Sequence, residues 1–426
     1  MPYRILAINP GSTSTKFALY DGENQILAKS LNHSIKELSK FNKIMDQFEM
    51  RKEEIEKILN NLLNFMLNEL KIKPTATTRG KVLFVAEEIS FASRYRVEHF
   101  QETLLKQGIC SDYIQMDEVK NYDFNGYNSI VLYRCSNVNI VNEIVKESER
   151  LSIPVYYDID DFIFDYDKID YLEFLQNKEY SQFRIKTEQI HQCMEMCKGY
   201  MTSTNTLAAE IMREFPNKKV VIKRNVASIA MQILSNDAWK NANNNNDRIW
   251  IGYFSGSITH NKDFAQIECI LKDILERYPQ VYLKLGGVIQ ENGLGDYRNR
   301  IEKVGFTEWK NLPNMIANVA INLMPLEDTC FHSCKSENKW MEAALVHVPS
   351  VMSYNVELEK VIVSGKTGFL CANKEEWYTS LKMLIEDENL RRSVGDAAFQ
   401  RVMERYTTNY PDTEAVKMVL GELKER

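Results

Sequence analysis

The chain has 426 residues, 44% of them hydrophobic and 26% charged, enough for two or three domains with a sizeable core and no need of a staple. Its formal net charge of -6 excludes sequence-independent nucleic-acid binding, which needs a dominant basic surface, but leaves room for a local basic pocket that holds a phosphate. No apolar run reaches the ~18 residues of a membrane span, the opening MPYRILAINPGSTSTK lacks the form of a signal peptide, and eight scattered cysteines suit reduced thiols in a cytoplasm.

In chain order, residues 1–72 open with a strand, RILAIN, a loop, PGSTSTK, and a second strand, FALYD. A long helix is expected over about 40–71, because Ile44, Phe48, Ile55, Leu59, Leu62, Leu63, Met66 and Leu70 fall largely on one face. KPTATTRG, residues 73–80, breaks that pattern and reads as a linker. Residues 81–240 then carry buried-strand patterns at KVLFVA, SIVLYR, IPVYYD, YMTS and VVIK, most of them separated by helical stretches, the first running to about Gln107. An Asn-rich connection, residues 241–247, precedes a restart over 248–405. There IWIGYF, VYLKLG, VAINLM, PSVMS and GFLC read as strands, with helices near 263–277, 337–346, 375–386 and 389–405. Residues 406–426 read as a C-terminal helix. Near-continuous apolar strands alternating with helices predict an α/β chain of two doubly wound parallel sheets. Such sheets bind ligands at the carboxyl ends of their strands, so two of them in succession predict a site in the cleft between.

The stretch KSENKWMEAALVHVP, residues 335–349, carries the most chemistry. Ser336 is expected to cap a helix with Glu337 in its first turn, so that free N–H groups could hold a pyrophosphate. Lys335 and Lys339 add positive charge, and Glu342, one turn beyond Lys339, could accept both hydroxyls of a ribose. On spacing alone the plainer reading, a capped helix with a surface Lys–Glu pair, is favoured. Asp158, Asp160, Asp161 and Asp165 cluster at a strand end, a grouping that could be mistaken for a Mg²⁺ site; the resemblance described below favours acceptor binding or loop-capping instead. Arg94 and Arg96 could meet an anionic acceptor or lie on the surface; His260 could touch a donor or be a plain loop histidine. Cys193 and Cys197 near His191, and Cys330, His332 and Cys334, lack the repeated C-x2-C spacing of zinc sites and read as buried thiols.

The pattern K-S-x-x-K-x-x-E-A-A, followed by a strand after Val348-Pro349, by SGKTGFL and by ANKEEW, resembles the C-terminal domain of family 4 glycosyltransferases, which have the GT-B fold. IGYFSGSITHNKDF (251–264) resembles the strand and glycine loop that open that domain. RYRV (94–97), VYYDIDDFIFD (155–165) and TSTNTLAAEI (202–211) are similar to a bacterial branch of these enzymes. The resemblance covers about 80–410. It implies transfer of a sugar from a nucleotide-sugar donor to a glycan or lipid-linked acceptor, with retained configuration, in polysaccharide or cell-surface glycan biosynthesis. It implies no metal or other cofactor and no nucleic-acid partner. A lipid-linked acceptor would bring this cytoplasmic protein to the inner face of the membrane. In the family the second Glu of an E-x7-E motif contacts the ribose, and Glu342 matches it; the first falls on Cys334, which leaves the sugar open. By the same resemblance Lys262, Lys335 and Glu342 are the candidate catalytic group. Ser255, Gly256, Ser257, His260, Ser336 and Lys339 would line the donor, and Arg94, Arg96, Asp158, Asp160 and Asp161 the acceptor. Cys334 also keeps alive a non-catalytic sugar-nucleotide or glycan-binding protein.

Residues 3–57 resemble the start of butyrate kinase, of the acetate kinase superfamily, through INPGSTSTKFALYD (8–21) and NKIMDQFEMRKEEI (42–55). In that family Asn9, Ser12, Ser14 and Lys16 would surround the phosphates, as a Gly-Ser-Thr loop can. The resemblance stops near residue 60, before a second lobe, second phosphate loop or adenosine pocket. The segment therefore reads as a fused or vestigial partial actin-like fragment, or a fusion artefact, and an acyl kinase is disfavoured.

Overall fold

The computed structural model describes residues 4–10, 14–21, 24–32, 79–87, 92–170, 172, 180–242, 247–255, 261–289, 293–410 and 412–423. By internal contacts the chain divides into Met1–Ala76 and Thr77–Arg426. The first unit holds an antiparallel sheet of β1 (Arg4–Pro10), β2 (Ser14–Asp21) and β3 (Asn24–Asn32) in the order β1-β2-β3. Asn9 stands opposite Lys16, and Ser14 opposite Asn32. Both expected strands are present. The third follows directly on the turn-forming sequence around Asp21–Asn24, a hairpin signal that the reading above did not use. Ser12 and the expected helix over 40–71 lie outside the described residues.

The second unit contains two six-stranded sheets, each parallel throughout. In the first, β4 (Gly80–Ala86), β5 (Ile109–Gln115), β6 (Ser129–Tyr133), β7 (Val155–Ile159), β8 (Gly199–Thr202) and β9 (Lys219–Ile222) lie in the order β5-β4-β6-β7-β8-β9. The second comprises β10 (Ile249–Phe254), β11 (Val281–Gly286), β12 (Ile301–Val304), β13 (Ile321–Met324), β14 (Ser350–Ser353) and β15 (Phe369–Cys371), in the order β12-β11-β10-β13-β14-β15. Central strands β6, β7 and β13 are buried along their whole length, in keeping with their mostly apolar sequences. The two strands that the apolar-run criterion missed, β5 and β12, are edge strands with mostly half-exposed residues. An edge strand can do without a continuous apolar run, and these two have none.

Helices cover the first sheet: α1 (His99–Lys106), entered through a five-residue π-helical turn at Arg94–Glu98, then α2 (Val138–Arg150), α3 (Tyr180–Glu195) and α4 (Asn205–Glu214). Asn137 and Thr204 cap α2 and α4 with their side chains. After β9 the chain crosses to the second sheet through α5 (Ile229–Lys240), capped by Ser228. There follow α6 (Asn261–Ala265), α7 (Glu268–Arg277), α8 (Leu312–Ala317), α9 (Cys330–Ser333), α10 (Asn338–Ala344), α11 (Val356–Val361), α12 (Lys374–Glu386) and α13 (Glu388–Arg405). The helix expected over 263–277 is thus two pieces, α6 and α7. Ala238 of α5 packs with Phe254, Ile316 and Val346 of the second sheet's layer.

The chain then returns. Ala227 and Thr407 form a parallel bridge, and Ala227 N–H donates to the Tyr406 carbonyl at 2.8 Å. Of the C-terminal helix expected over 406–426, the helical part is α14 (Thr413–Val419). Its Val416, Met418 and Val419 are buried with Val82, Phe84 and Val131 of the first sheet and Phe100 of α1. Each such burial contributes roughly 1.5–3 kcal/mol, so the last turns of the chain are part of the first sheet's core. No helix among the described residues is long and apolar enough to cross a membrane.

Candidate active site between the two sheets

A cavity of about 290 Å³ opens between the carboxyl ends of the two sheets. From the first sheet it receives Ala92, after β4, Arg134, after β6, and Asp160 and Asp161, after β7. From the second it receives Ser255, after β10, Gly287, after β11, and the segment Gly305–Thr307, after β12, together with Lys335, Ser336, Asn338, Lys339 and Glu342. In both sheets the strand order reverses beside these ends, at β4/β6 and β10/β13, the position where open parallel sheets leave a crevice. Gly287 is required there: its φ is +95°, and a Cβ would sit 2.1 Å from the Ser255 carbonyl oxygen.

Lys339, on α10, lies one turn before Glu342. Its Nζ is buried, lies 4.7 Å from the centre of the Tyr253 ring, and among the described residues has no hydrogen-bond partner. Burial pushes its pKa down to about 8, against the pull of Asp263 and Glu342. Lys335 Nζ instead donates to Asp161 Oδ1 at 2.5 Å and lies 4.3 Å over the Phe331 ring. Arg134 Nη2 donates to Asp161 Oδ2 at 2.6 Å, and its Nε to Asp160 Oδ1 at 2.7 Å. Burial raises the Asp161 carboxyl, but Lys335 and Arg134 outweigh it and hold the group well below the ordinary range. Arg134 has φ 47°, a left-handed conformation that non-glycine residues rarely adopt and that tends to cluster at functional sites.

Glu342 Oε1 accepts from Arg94 Nη2 at 2.6 Å and from Tyr95 OH at 2.7 Å. Both donors sit on the π-helical turn, a local widening that often marks functional segments. Arg94 therefore faces Glu342 across the interface, rather than an open acceptor surface. Lys339 and Glu342 do not form the surface pair of the plainer reading. The expected Ser336 cap is also corrected. Helix α10 begins at Asn338, no side chain caps it, and Ser336 Oγ accepts from Asn225 Nδ2 at 3.2 Å. The Asn225 amide draws the hydroxyl across to the first domain instead.

Arg96 and Asp158 do not line the cavity. Arg96 Nε donates to Asp158 Oδ1 at 2.8 Å, its Nη1 to Asn225 Oδ1 at 3.0 Å and to the Lys223 carbonyl. Lys223 Nζ lies 3.1 Å from Asp158 Oδ2 and donates to the Arg96 carbonyl at 2.5 Å. All three are buried, so charge neutralisation inside the first domain accounts for them. Lys262 lies exposed on α6 and is not among the residues lining the cavity. Gly256, Ser257 and His260 lie outside the described residues. Asn9, Ser14 and Lys16 lie on β1 and β2 of the N-terminal unit.

Cys334 is buried, its thiol is pushed up by burial, and its carbonyl accepts from Thr204 Oγ1 at 3.0 Å. A neutral thiol there supplies none of the charge a glutamate would. Cys193 and Cys197 are buried too, and Cys197 Sγ donates to the Cys193 carbonyl. The described side chains grouped closely enough to hold a metal are Asp263, Glu327 and His332, with ligand atoms within 4.8 Å of one another. Hydrogen bonds account for the pairing of two of them: His332 Nε2 lies 3.2 Å from Asp263 Oδ1, and its Nδ1 2.6 Å from Thr329 Oγ1.

Sequence reasoning missed the groups that join the two sheets. Glu357, on α11, accepts from the backbone N–H of Asn205 at 3.1 Å and of Thr206 at 2.9 Å, at the start of α4. Lys360 Nζ at 2.7 Å, the Thr206 hydroxyl at 2.8 Å and Asn205 Nδ2 at 3.1 Å also donate to it. Burial raises this carboxyl, but Lys360, Thr206 and Asn205 prevail and bring it down to about 2. Arg224 bridges Glu337 and Glu357 at 3.4 and 3.5 Å. Glu357 looks like an ordinary exposed helix residue in sequence, and only the approach of α4 buries it.

No family model matches the chain. Its N-terminal segment is 58% identical over 50 residues to butyrate kinase 1 of Clostridium acetobutylicum, covering 12% of this chain and 14% of that protein. It is 45% identical over 60 residues to probable butyrate kinase 1 of Thermotoga maritima, covering 14% and 17%. The chain thus matches only a small part of these curated relatives' length. Among solved structures, Anabaena HepE in complex with UDP-glucose is similar with a TM-score of 0.52 and 15% identity, over 81% of this chain and 100% of that one. Sucrose-phosphate synthase of Thermosynechococcus elongatus gives 0.53 and 12%, over 80% and 98%. A glycosyltransferase from Rickettsia africae gives 0.55 and 11%, over 82% and 100%. At these identities the likeness is one of fold: the unit Thr77–Arg426 has the GT-B fold, two Rossmann-like domains facing a cleft.

Proposed function

We propose that the chain is a glycosyltransferase whose nucleotide-sugar donor sits in the cavity between the two sheets. Lys339 carries this reading. A buried ammonium without a hydrogen-bond partner is costly unless an anion joins it, and this one borders the cavity. A nucleoside diphosphate supplies that anion. Breaking a sugar–diphosphate bond puts negative charge on the leaving oxygen, and fixed cations stabilise it more in the transition state than in the ground state. Among the described lining residues, Lys339 and Lys335 are the cations that the second sheet's side brings to the cavity. Glu342 would accept the ribose hydroxyls, exchanging the Tyr95 hydroxyl for them while keeping Arg94. Asp160 and Asp161 would meet the acceptor hydroxyl from the opposite side, with a glycan or lipid-linked glycan as the acceptor class. Retained configuration and a role in surface-glycan assembly follow from the family resemblance alone.

HepE, which shares the fold, was solved with UDP-glucose, which makes that compound the first donor to try. The test is calorimetric titration of UDP-glucose into the wild-type protein and Lys339→Ala. Equal affinity for both would sink the donor site. Cys334, standing where the resembled family has a carboxylate, supports a second reading: a protein that binds the nucleotide-sugar without turning it over. Release of UDP in the presence of glycan acceptors, compared with binding alone, separates the two.

A further inference from the structure

We propose that Asp161 is the gate of the donor cavity: its carboxylate holds Lys335 in the ligand-free protein, and the donor's diphosphate displaces it. The inference rests on the donor-site reading above. Two cations border the cavity from the second sheet's side, and they differ in state. Lys339 Nζ has no hydrogen-bond partner among the described residues, whereas Lys335 Nζ is held by Asp161 at 2.5 Å from the opposite domain. A diphosphate carries two phosphate groups. One can meet Lys339 directly. The other meets Lys335 fully only when that lysine gives up its carboxylate.

The exchange leaves no charge stranded. Asp161 has a second partner, Arg134 Nη2, at 2.6 Å, so the carboxylate released from Lys335 stays paired. Arg134 is itself fixed, with its Nε on Asp160 at 2.7 Å and its backbone in the left-handed region. Lys335 Nζ also lies 4.3 Å over the centre of the Phe331 ring, a second interaction that does not depend on Asp161. A half-buried pair whose members both have a second partner is a switch of low cost, unlike a pair whose rupture buries a lone charge. The arrangement also orders the two substrates. Asp161 is committed to Lys335 until an anion takes its place, so its oxygen becomes available to an acceptor hydroxyl only after the donor has bound.

The test is a double-mutant cycle on UDP affinity, measured by calorimetry with wild type, Asp161→Asn, Lys335→Ala and the double variant. Asp161→Asn is expected to bind UDP roughly tenfold more tightly than wild type. Asp161→Glu, which keeps the charge, is expected to stay near wild type. The Asp161→Asn gain is expected to vanish in the Lys335→Ala background, because the competitor's target is gone. A gain that persists in the double variant makes Asp161 a mere contributor to the cavity's overall field and overturns the gate. Unchanged or weaker binding by Asp161→Asn overturns it too, and Asp161→Ser repeats the measurement where the amide disturbs folding. If wild type binds UDP and Lys339→Ala does not, while Asp161→Asn is silent, the gate alone falls. If wild type binds no nucleoside diphosphate, or Lys339→Ala binds as well as wild type, the donor site falls and the gate with it.

Discussion

Lys223 and Lys339 both have buried ammonium groups, and they sit in opposite situations. Lys223, behind the first sheet, lies 3.1 Å from Asp158, donates to the Arg96 carbonyl and stacks over Phe100 at 4.7 Å. Lys339, beside the second sheet, has an aromatic face beneath it and, among the described residues, no hydrogen-bond partner. Burial depresses both, Lys223 to about 7 and Lys339 to about 8. The shift alone therefore does not tell a structural charge from a binding one. The partner does: a buried cation with its carboxylate in place is part of the core, and one that faces a cavity without a carboxylate is set for an anion from outside.

The sharpest break of that contrast is Asp158→Ala. It leaves Arg96 and Lys223 facing each other without an anion, so a loss of about 3–5 kcal/mol is expected in denaturant unfolding. An unchanged unfolding midpoint would mean that the cluster does not carry the first domain. Lys339→Ala should do the reverse. Its thermal midpoint should hold or rise, since an unpaired buried charge is removed, while affinity for UDP-glucose falls by roughly 1.5–3 kcal/mol, ten- to a hundredfold. A drop in stability with binding intact would place Lys339 among structural residues like Lys223.

The pH dependence follows from the same lysine. The anion binds the protonated form, and in the free protein Lys339 loses its proton near pH 8. UDP-glucose affinity should be level below about pH 7 and fall by about tenfold per unit above pH 8, with proton uptake on binding. Lys339→Ala should show no such fall, and a profile shared by both proteins would assign the proton elsewhere. The smallest effect concerns Glu357. Its carboxyl is held at about 2, below the ordinary carboxylate range, so the stability it adds is present above about pH 4.5 and is lost as pH falls toward 2. Glu357→Gln should cost about 1 kcal/mol at pH 7 and nothing measurable near pH 2. A cost that stays constant down to pH 2 would mean that the charge is irrelevant to the contact between α4 and α11.

Much of the fold was legible. β6, β7 and β13, buried along their whole length, carry mostly apolar runs, and two successive sets of them imply two doubly wound sheets. β5 and β12 were not, because these two edge strands interleave polar residues and have no such run. The candidate site was legible in part. Glu342 and Lys339 fall on one helix at the right spacing, and both line the cavity. Arg96 and Asp158 were misread, because a charged residue in sequence carries no mark of whether it will face solvent or an opposite charge in the core.

The sequence by itself determined the two-sheet α/β body, the butyrate-kinase-like opening, and the helix that carries Lys339 and Glu342. These depend on local patterning and on residue order, which are present in any linear reading. Only the tertiary structure decided which charges are neutralised. Asp161 meets Lys335 across a sequence separation of 174, Arg94 meets Glu342 across 248, and Glu357 caps α4 from another domain. The state of an ionisable group depends on what comes within a few ångströms of it and on how much water is excluded, and both are consequences of the fold.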